Sequence, residues 1–345
     1  MRVGAGRRRS VLVNQSYAMQ RVTGQQRYAT EIASRLLADD GFDGIQPNAG
    51  WSRTPIRVWM WVMAALPVRA GASVLLSMTA RAPLWQRRHV LVVHDLFVLT
   101  NPEWFSRRYY WTHAPLLRLQ LRTAAALVAV SQPVADELAG YAATVHVAPN
   151  APSEVFAAEG APAVDDALRM RGLTSGRYFL TVGSMDPRKN LPTLAQAYAR
   201  LSEDDRRAHP LVVVGGGSAV FRDQDIEWPA EVVDAGYVTD EELRQLYQGS
   251  LAVVFPSLAE GFGLPLVEAA AAGAPCLVIS DIPVFRWVCG EAAHYVDPGD
   301  PASVAAGLEE AMRRPRRQLV DLERFSWDRS ARIVRELCTA VAAAP

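Results

Sequence analysis

Two carboxylates, Glu260 and Glu268, flank Gly261, Phe262 and Gly263 in the stretch PSLAEGFGLPLVEAAAAGAPCLVIS, residues 256–280. Pro265 suits the first turn of a helix and Gly273 suits its C-terminal cap, so a helix is expected from Leu264 to Ala272. The free N–H groups and dipole at its start favour an anion. The glycines permit close backbone approach. Glu260 then lies in the loop and Glu268 in the first turns. Carboxylates placed this way bracket an anion site from two sides and can accept hydrogen bonds from sugar hydroxyls. The plainer alternative is that Glu268 complements the helix dipole and Glu260 is solvated.

A second cluster is GSMDPRKNLPTL, residues 183–194. Arg188 and Lys189 follow a strand end and precede a helix, and two adjacent cations there suit a diphosphate. Lys189 is the only lysine, against 35 arginines. A chain so biased toward arginine keeps a compact ammonium at this one position, a point charge that guanidinium replaces poorly. The alternative is a solvated loop charge. A third phosphate candidate is the Thr23-Gly24 turn that begins TGQQRYATEIASRLL (23–37), whose alternative is an ordinary turn and cap. His94 and Asp95 end the apolar run LVVHD, a strand-end position that favours function. The other histidines show no metal spacing.

Two motifs compete with these. VVVGGGSAVF, residues 212–221, imitates a dinucleotide fingerprint through Gly215 and Gly217, with Asp234 as the following acid. Val220 occupies the third glycine place, so the match is incomplete. Asp223-Gln224-Asp225 imitates a metal-binding D-x-D, but its polar surroundings read as surface charge.

The elements that must position these residues follow from hydrophobic patterning. Short apolar runs at 11–14, 73–78, 89–95, 126–131 and 144–150 read as strands, and a second set follows at 178–184, 211–216, 251–257, 275–280 and 293–298. Nearly continuous apolar strands are those of a parallel sheet covered on both faces. Helical patterns at 24–38, 190–201, 240–249 and 301–314 alternate with them, giving an α/β class. The Pro/Ala/Gly-rich break at 150–166 divides the chain. The expected organisation is an N-terminal domain over 1–160, a C-terminal domain over 161–325, and a last amphipathic helix, roughly 327–343, with no strand after it. Ligands of such sheets sit at strand carboxyl ends, and a cleft between the domains is the default location.

Charge separates the halves. Residues 1–150 hold 17 arginines against 8 acidic residues, a net of +9, and the remainder is −9, with 19 basic and 28 acidic residues. Six of the nine tryptophans (Trp51, Trp59, Trp61, Trp85, Trp104 and Trp111) lie in the basic half. RVWMW (57–61) and SRRYYW (106–111) mix arginine with aromatics, which suits anionic headgroups at a membrane interface; the alternative is that most of these tryptophans are core. Three scattered cysteines without C-x-x-C fit a reducing cytoplasm. The N-terminal stretch is not expected to act as a signal peptide, and the apolar run 58–68 is too short to cross a bilayer.

Taken together, the blocks resemble the retaining glycosyltransferases of family 4, which have the GT-B fold. EGFGLPLVE is similar to that family's E-x7-E motif and GSMDPRKNL to its phosphate-binding loop. TGQQRYATEIASRL resembles its N-terminal glycine loop. VVHDLFVLTNPEWFS, VAVSQPVADEL and SDIPVFRWVCGEAAHYVDPGD are similar to further blocks in family order. The resemblance implies two Rossmann-like doubly wound domains facing a central cleft, with residues 326–345 crossing back to the first. It implies that Arg188 and Lys189 bind the donor diphosphate, Glu268 the ribose and Glu260 the transferred sugar. The Gly261, Phe262, Gly263 and Leu264 backbone would hold sugar and phosphates, with Ser184 beside the diphosphate and Val238 near the base. Gly24 would approach the β-phosphate and His94 the donor sugar, with Asp95 and Ser131 on the acceptor side. Ser184 stands where many members have arginine, and Trp287 replaces a frequent acid.

The expected activity is metal-independent transfer of a hexose, with retention, from a nucleotide-sugar in cell-surface polysaccharide assembly. GDP-mannose is the donor named first, used as substrate with no cofactor. The expected acceptor is polyprenyl-diphosphate-linked or a saccharide. The protein would be cytoplasmic, with the basic N-terminal domain in peripheral contact with an anionic membrane at the inner face, and without a nucleic-acid partner. The alternatives are a nucleotide-sugar 2-epimerase of the same fold and a catalytically silent sugar-nucleotide-binding subunit.

Overall fold

A computed structural model describes residues 11–19, 23–142, 144–157, 165–215, 226–314 and 320–344. Gly217, Val220 and Asp223-Gln224-Asp225 lie outside the described residues. The described residues of Met1–Thr100, Arg108–Asn150 and Ser326–Pro345 form one unit, and those of Asn101–Arg107 and Ala151–Phe325 form another.

In the first unit the apolar runs become β1 (Val11–Asn14), β3 (Val74–Ser77), β4 (His89–Val93), β5 (Ala126–Ala129) and β6 (Val145–Val147), joined by an edge strand, β2 (Phe42–Ile45). All pair in parallel in the order β2-β1-β3-β4-β5-β6. In the second unit they become β7 (Phe179–Val182), β8 (Leu211–Val214), β10 (Ala252–Phe255), β11 (Leu277–Ser280) and β12 (His294–Val296), with the edge strand β9 (Val232–Gly236). Their order is β12-β11-β10-β7-β8-β9, again parallel throughout. Burial on both faces explains the apolar composition: every residue of β3, β4, β8, β10 and β11 is buried. The two edge strands were not legible from patterning. FDGI and VVDAG are half exposed, so neither carries a continuous apolar run.

Each unit has its own core. Phe179, Leu211, Val254 and Val278 of the second sheet meet Leu194, Tyr198, Val304 and Leu308 of its helices. In the first, Leu91 and Leu127 meet Leu121, Val134 and Leu138. Helix Trp327–Ala343 also packs in the first unit, burying Trp327, Ala331, Val334 and Cys338. It is held by an ion pair between Arg35 Nε and Asp328 Oδ1 at 2.6 Å, and by a Ser330 hydroxyl that donates to the Pro149 carbonyl at 2.7 Å.

Both sheets reverse the direction in which strands are added. The first reverses between β1 and β3, the second between β7 and β10. In a doubly wound sheet, loops leave opposite faces at that point and open a crevice at the strand carboxyl ends.

Candidate active site

The reversal point of the second unit brings two of the sequence-selected clusters together. Lys189 ends a one-turn 3-10 helix, Pro187–Lys189, in the loop after β7, and Glu260 lies in the loop after β10. Lys189 Nζ donates to Glu260 Oε1 at 2.6 Å, and the Ser257 hydroxyl donates to the same oxygen at 2.9 Å. Both side chains are largely buried, at 15% and 12% exposure. Burial pushes the Glu260 carboxyl up, but the charges of Lys189 and Arg188 and the Ser257 bond outweigh it, so the group sits below the usual carboxylate range.

The Lys189 stem lies against Gly183, where an added Cβ would stand 3.2 Å from Lys189 Cγ. Gly183 is itself crowded from β8. Gly215 has φ +133°, and a Cβ there would fall 1.9 Å from the Gly183 carbonyl oxygen. The glycine that begins the dinucleotide-like motif thus serves close packing of the two strand ends.

Arg188 is not a second open cation beside Lys189. Asp186, 1% exposed, accepts from its backbone N–H at 3.0 Å and from its guanidinium Nε at 2.7 Å, with Nη2 on the same carboxylate. Each cation of the expected diphosphate site therefore already faces a carboxylate. Asn190 fixes the whole loop. It adopts φ 57° and ψ 37° and is the one non-glycine residue with positive φ among the described residues. Its amide donates to the carbonyls of Pro256 at 3.0 Å and Pro298 at 2.7 Å, while Thr193 Oγ1 donates to its Oδ1 at 2.7 Å. The Leu258 N–H donates to the Arg188 carbonyl at 2.8 Å, so the loops after β7 and β10 are joined directly.

The expected helix is observed as Leu264–Ala271, with Gly263 in the left-handed region (φ 86°) before it and Gly273 (φ 80°) after it. A Cβ on Gly263 would also approach Phe285 Cε1 to 2.9 Å, so the position requires glycine on two grounds. Glu268 is buried at 5% exposure in this helix, and Phe262 is buried edge-on against Trp287 and Phe325. The Trp287 ring therefore packs against Phe262 of the Gly-Phe-Gly loop. Gly261 and Leu264 are partly exposed, as is Ser184, whose carbonyl accepts from the Asp186 N–H at 2.7 Å. Val238 is half-buried in the connection from β9 to helix Asp240–Gly249, whose start is capped by Thr239 and Glu242.

In the first unit the selected residues surround the carboxyl ends of β1, β3, β4 and β5. Asn14, which ends β1, donates to Ser77 Oγ at 3.2 Å and to the Arg81 carbonyl at 2.7 Å, and accepts from Ser16 Oγ at 2.7 Å. Gly24 is the first residue of helix Gly24–Leu36, after a Thr23 cap closed by Gln26. His94 Nε2 donates to the Met78 carbonyl at 2.9 Å, and its ring meets Tyr28 edge-on at 5.1 Å. Burial lowers its pKa, against the pull of the Met78 bond and the Asp95 charge, and keeps the imidazole neutral. Asp95 Oδ1 accepts from the Phe97 N–H at 3.3 Å, and Ser131 is a buried helix cap that accepts from the Val134 N–H at 3.4 Å.

Patterning did not single out Asp186, Asn190, Ser257 or Asn14. Asp186-Pro187 is a turn signal whose acid caps the following turn, so Asp186 was findable; Asn190 and Ser257 act through backbone conformation and a contact 3 residues on, which spacing does not reveal.

Comparison with known proteins bears on the family and the fold. Residues 172–324 match the profile of the family Glycosyl transferases group 1. The chain is 33% identical over 170 residues to O-antigen chain mannosyltransferase B of Escherichia coli, a match covering 44% of this chain and 42% of that protein. It is 27% identical over 260 residues to O-antigen chain mannosyltransferase RfbU of Salmonella typhimurium, covering 74% of this chain and 69% of that one. The match thus spans less than half of the first relative's length. Among solved structures, sucrose-phosphate synthase from Thermosynechococcus elongatus superposes with a TM-score of 0.76 at 18% identity, over 98% of this chain and 100% of the other. Residues 172–324 are thus similar to the group 1 glycosyltransferases, and the chain has the GT-B fold.

Proposed function

We propose that the chain transfers a hexose, with retention of anomeric configuration, from a nucleoside-diphosphate sugar to a saccharide or polyprenyl-diphosphate-linked saccharide. The carrying observation is the Lys189–Glu260 pair at the β7/β10 reversal point, beside the start of helix Leu264–Ala271. An ammonium has three donors, and Glu260 takes one of them. The remaining two, with the N–H groups at the helix start, suit the charge that grows on the donor phosphate as its bond to the anomeric carbon breaks. Lys189 and Ser257 both bond Oε1 of Glu260, so Oε2 is the oxygen that accepts a sugar hydroxyl. In this reading the acceptor hydroxyl attacks from the face the leaving group departs, and its proton passes to the leaving phosphate oxygen. Glu268 takes the ribose hydroxyls.

The names of the two relatives support mannose as the sugar, which makes GDP-mannose the donor to try first. With Arg188 tied to Asp186, Lys189 and the helix start are the groups that would supply the positive field a metal ion otherwise provides, so turnover is expected to persist in chelator. The test is product analysis from GDP-mannose with oligomannoside and lipid-linked acceptors. Transfer with retained configuration supports the proposal. Conversion of donor to its epimer without acceptor supports the epimerase, and neither transfer nor donor hydrolysis the silent subunit.

A further inference from the structure

The segment Pro55–Ala70 is apolar on two opposite sides. Val58, Trp61, Val62, Leu66 and Ala70 are buried, and the cluster they form includes Leu75 of β3 with Leu12 of β1 and Ile45 of β2 against it. The opposite side faces solvent, yet Ile56 is 63% exposed, Trp59 51%, Met60 46% and Val68 82%. Positions 56, 59, 60 and 63 repeat at helical spacing, so Ile56, Trp59, Met60 and half-buried Met63 form one stripe.

An uninterrupted α-helix would not carry Val68 onto that stripe. The middle of the segment, Trp61–Ala65, is a π-turn in which the Leu66 N–H bonds back to Trp61 O. The extra residue in that turn sets back everything after it by about 100°. With this shift Leu66 and Ala70 stay on the buried side, and Val68 joins the exposed stripe. The helix irregularity therefore keeps two apolar faces in phase, although the sheet requires only one.

Charge indicates what covers the second face. Residues 44–94 contain six arginines and no aspartate or glutamate. Arg53, Arg57 and Arg69 are exposed around the stripe, and the Arg69 guanidinium lies 4.5 Å from the Trp61 ring centroid. A protein partner of mixed charge gives no reason to exclude acids over so long a stretch, whereas an anionic surface does. A tryptophan, long apolar side chains and arginines on one helix face are the composition of an element lying in a lipid headgroup layer. Among the described residues no helix is long and apolar enough to cross a membrane.

We propose that the outer face of Pro55–Ala70 docks in the plane of an anionic phospholipid bilayer, with Ile56, Trp59, Met60 and Val68 in the acyl boundary and Arg53, Arg57 and Arg69 at the phosphates. This surface is separate from the nucleotide-sugar reading and survives its failure.

The test is flotation of the full chain with vesicles of phosphatidylcholine alone or mixed with phosphatidylglycerol, at low and high salt, with scattering of the lipid-free protein. The expected result is partition onto the mixed vesicles that weakens with salt and on neutral vesicles. The double variant Ile56→Ser/Trp59→Ser should lose at least about tenfold in partition. Arg53→Gln/Arg57→Gln should lose the preference for anionic lipid while keeping the melting temperature. Three results would overturn the proposal: no partition of the unaltered chain, equal partition of the apolar variant, or a lipid-free dimer that this variant dissolves. The last would assign the face to a second copy. Soluble-acceptor turnover and melting temperature, unchanged in both variants, separate loss of docking from loss of fold.

Discussion

The two sheets reverse direction at different neighbours, and the two reversal points are built from different chemistry. In the first unit, between β1 and β3, Asn14 joins Ser77, Ser16 and the Arg81 carbonyl through neutral hydrogen bonds. Nearby, burial keeps His94 neutral. In the second, between β7 and β10, Asp186, Arg188, Lys189 and Glu260 stand as two carboxylate–cation pairs. A neutral network fixes loop geometry but offers no charge to exchange. Partly buried ion pairs keep their cations desolvated and oriented until an anion of better charge density arrives. The same topological feature thus carries a neutral network in one unit and paired charges in the other.

Removing the ammonium should break the charged side of this comparison most severely. Lys189→Ala is expected to lower kcat by about 10²–10³, or roughly 3–4 kcal/mol, the usual loss when one preorganised donor to a developing anion is deleted. Steady-state donor turnover checks this, and a loss confined to KM would mean that Lys189 binds ground state and transition state equally.

Acid should separate the units next. His89 is fully buried in β4, and burial alone holds its pKa down at about 4. An unfolded histidine titrates near 6.5. Between those values the unfolded chain binds a proton that folded His89 refuses, so stability falls as pH falls, by up to roughly 3 kcal/mol. Glu260 has a depressed pKa, so its contribution is complete above the ordinary carboxylate value and is lost only at lower pH. Denaturant melts from pH 7 down to 4.5 should therefore show the first unit weakening first. His89→Gln should flatten that slope, and an unchanged slope would remove His89 as its cause.

Asn190→Ala gives up hydrogen bonds to two loops and places a Cβ-branch-free but non-glycine residue at φ 57°. A loss of about 2–3 kcal/mol is expected, with part restored in Asn190→Gly, which tolerates that conformation. Equal melting temperatures for the two would show that the hydrogen bonds, not the backbone, carry the effect. Ser257→Ala is the mildest change. It removes one bond to a charged acceptor, about 1 kcal/mol, or roughly fivefold in kcat/KM. It should also raise the acid limb of the rate profile, because the Ser257 bond is one of the causes holding Glu260 ionised.

The central strands were legible because burial on both faces forces an apolar composition, and helix Asp240–Gly249 and helix Trp327–Ala343 fall where periodicity predicts them. The edge strands β2 and β9 were not, since solvent on one side relaxes that composition. At the site, Lys189 and Glu260 were visible by residue type, and Gly263 by its turn chemistry. Their direct pairing was not, because the two are 71 positions apart and are brought together only by the reversal of the sheet. The half-and-half charge division was legible, but which tryptophans it concerned was not. Trp61 is buried and Trp51 and Trp104 are half-buried, whereas Trp59, Trp85 and Trp111 are exposed.

The charged reversal point of the second unit is the proposed anion site for a nucleoside diphosphate. Calorimetric titration of GDP, UDP, dTDP and ADP in chelator, into the unaltered chain and into Lys189→Ala, tests it most directly. Metal-free binding of one nucleotide, GDP first, is expected, weakened at least about tenfold in Lys189→Ala. Binding of none of the four to the unaltered chain, or equal binding by the variant, would contradict it.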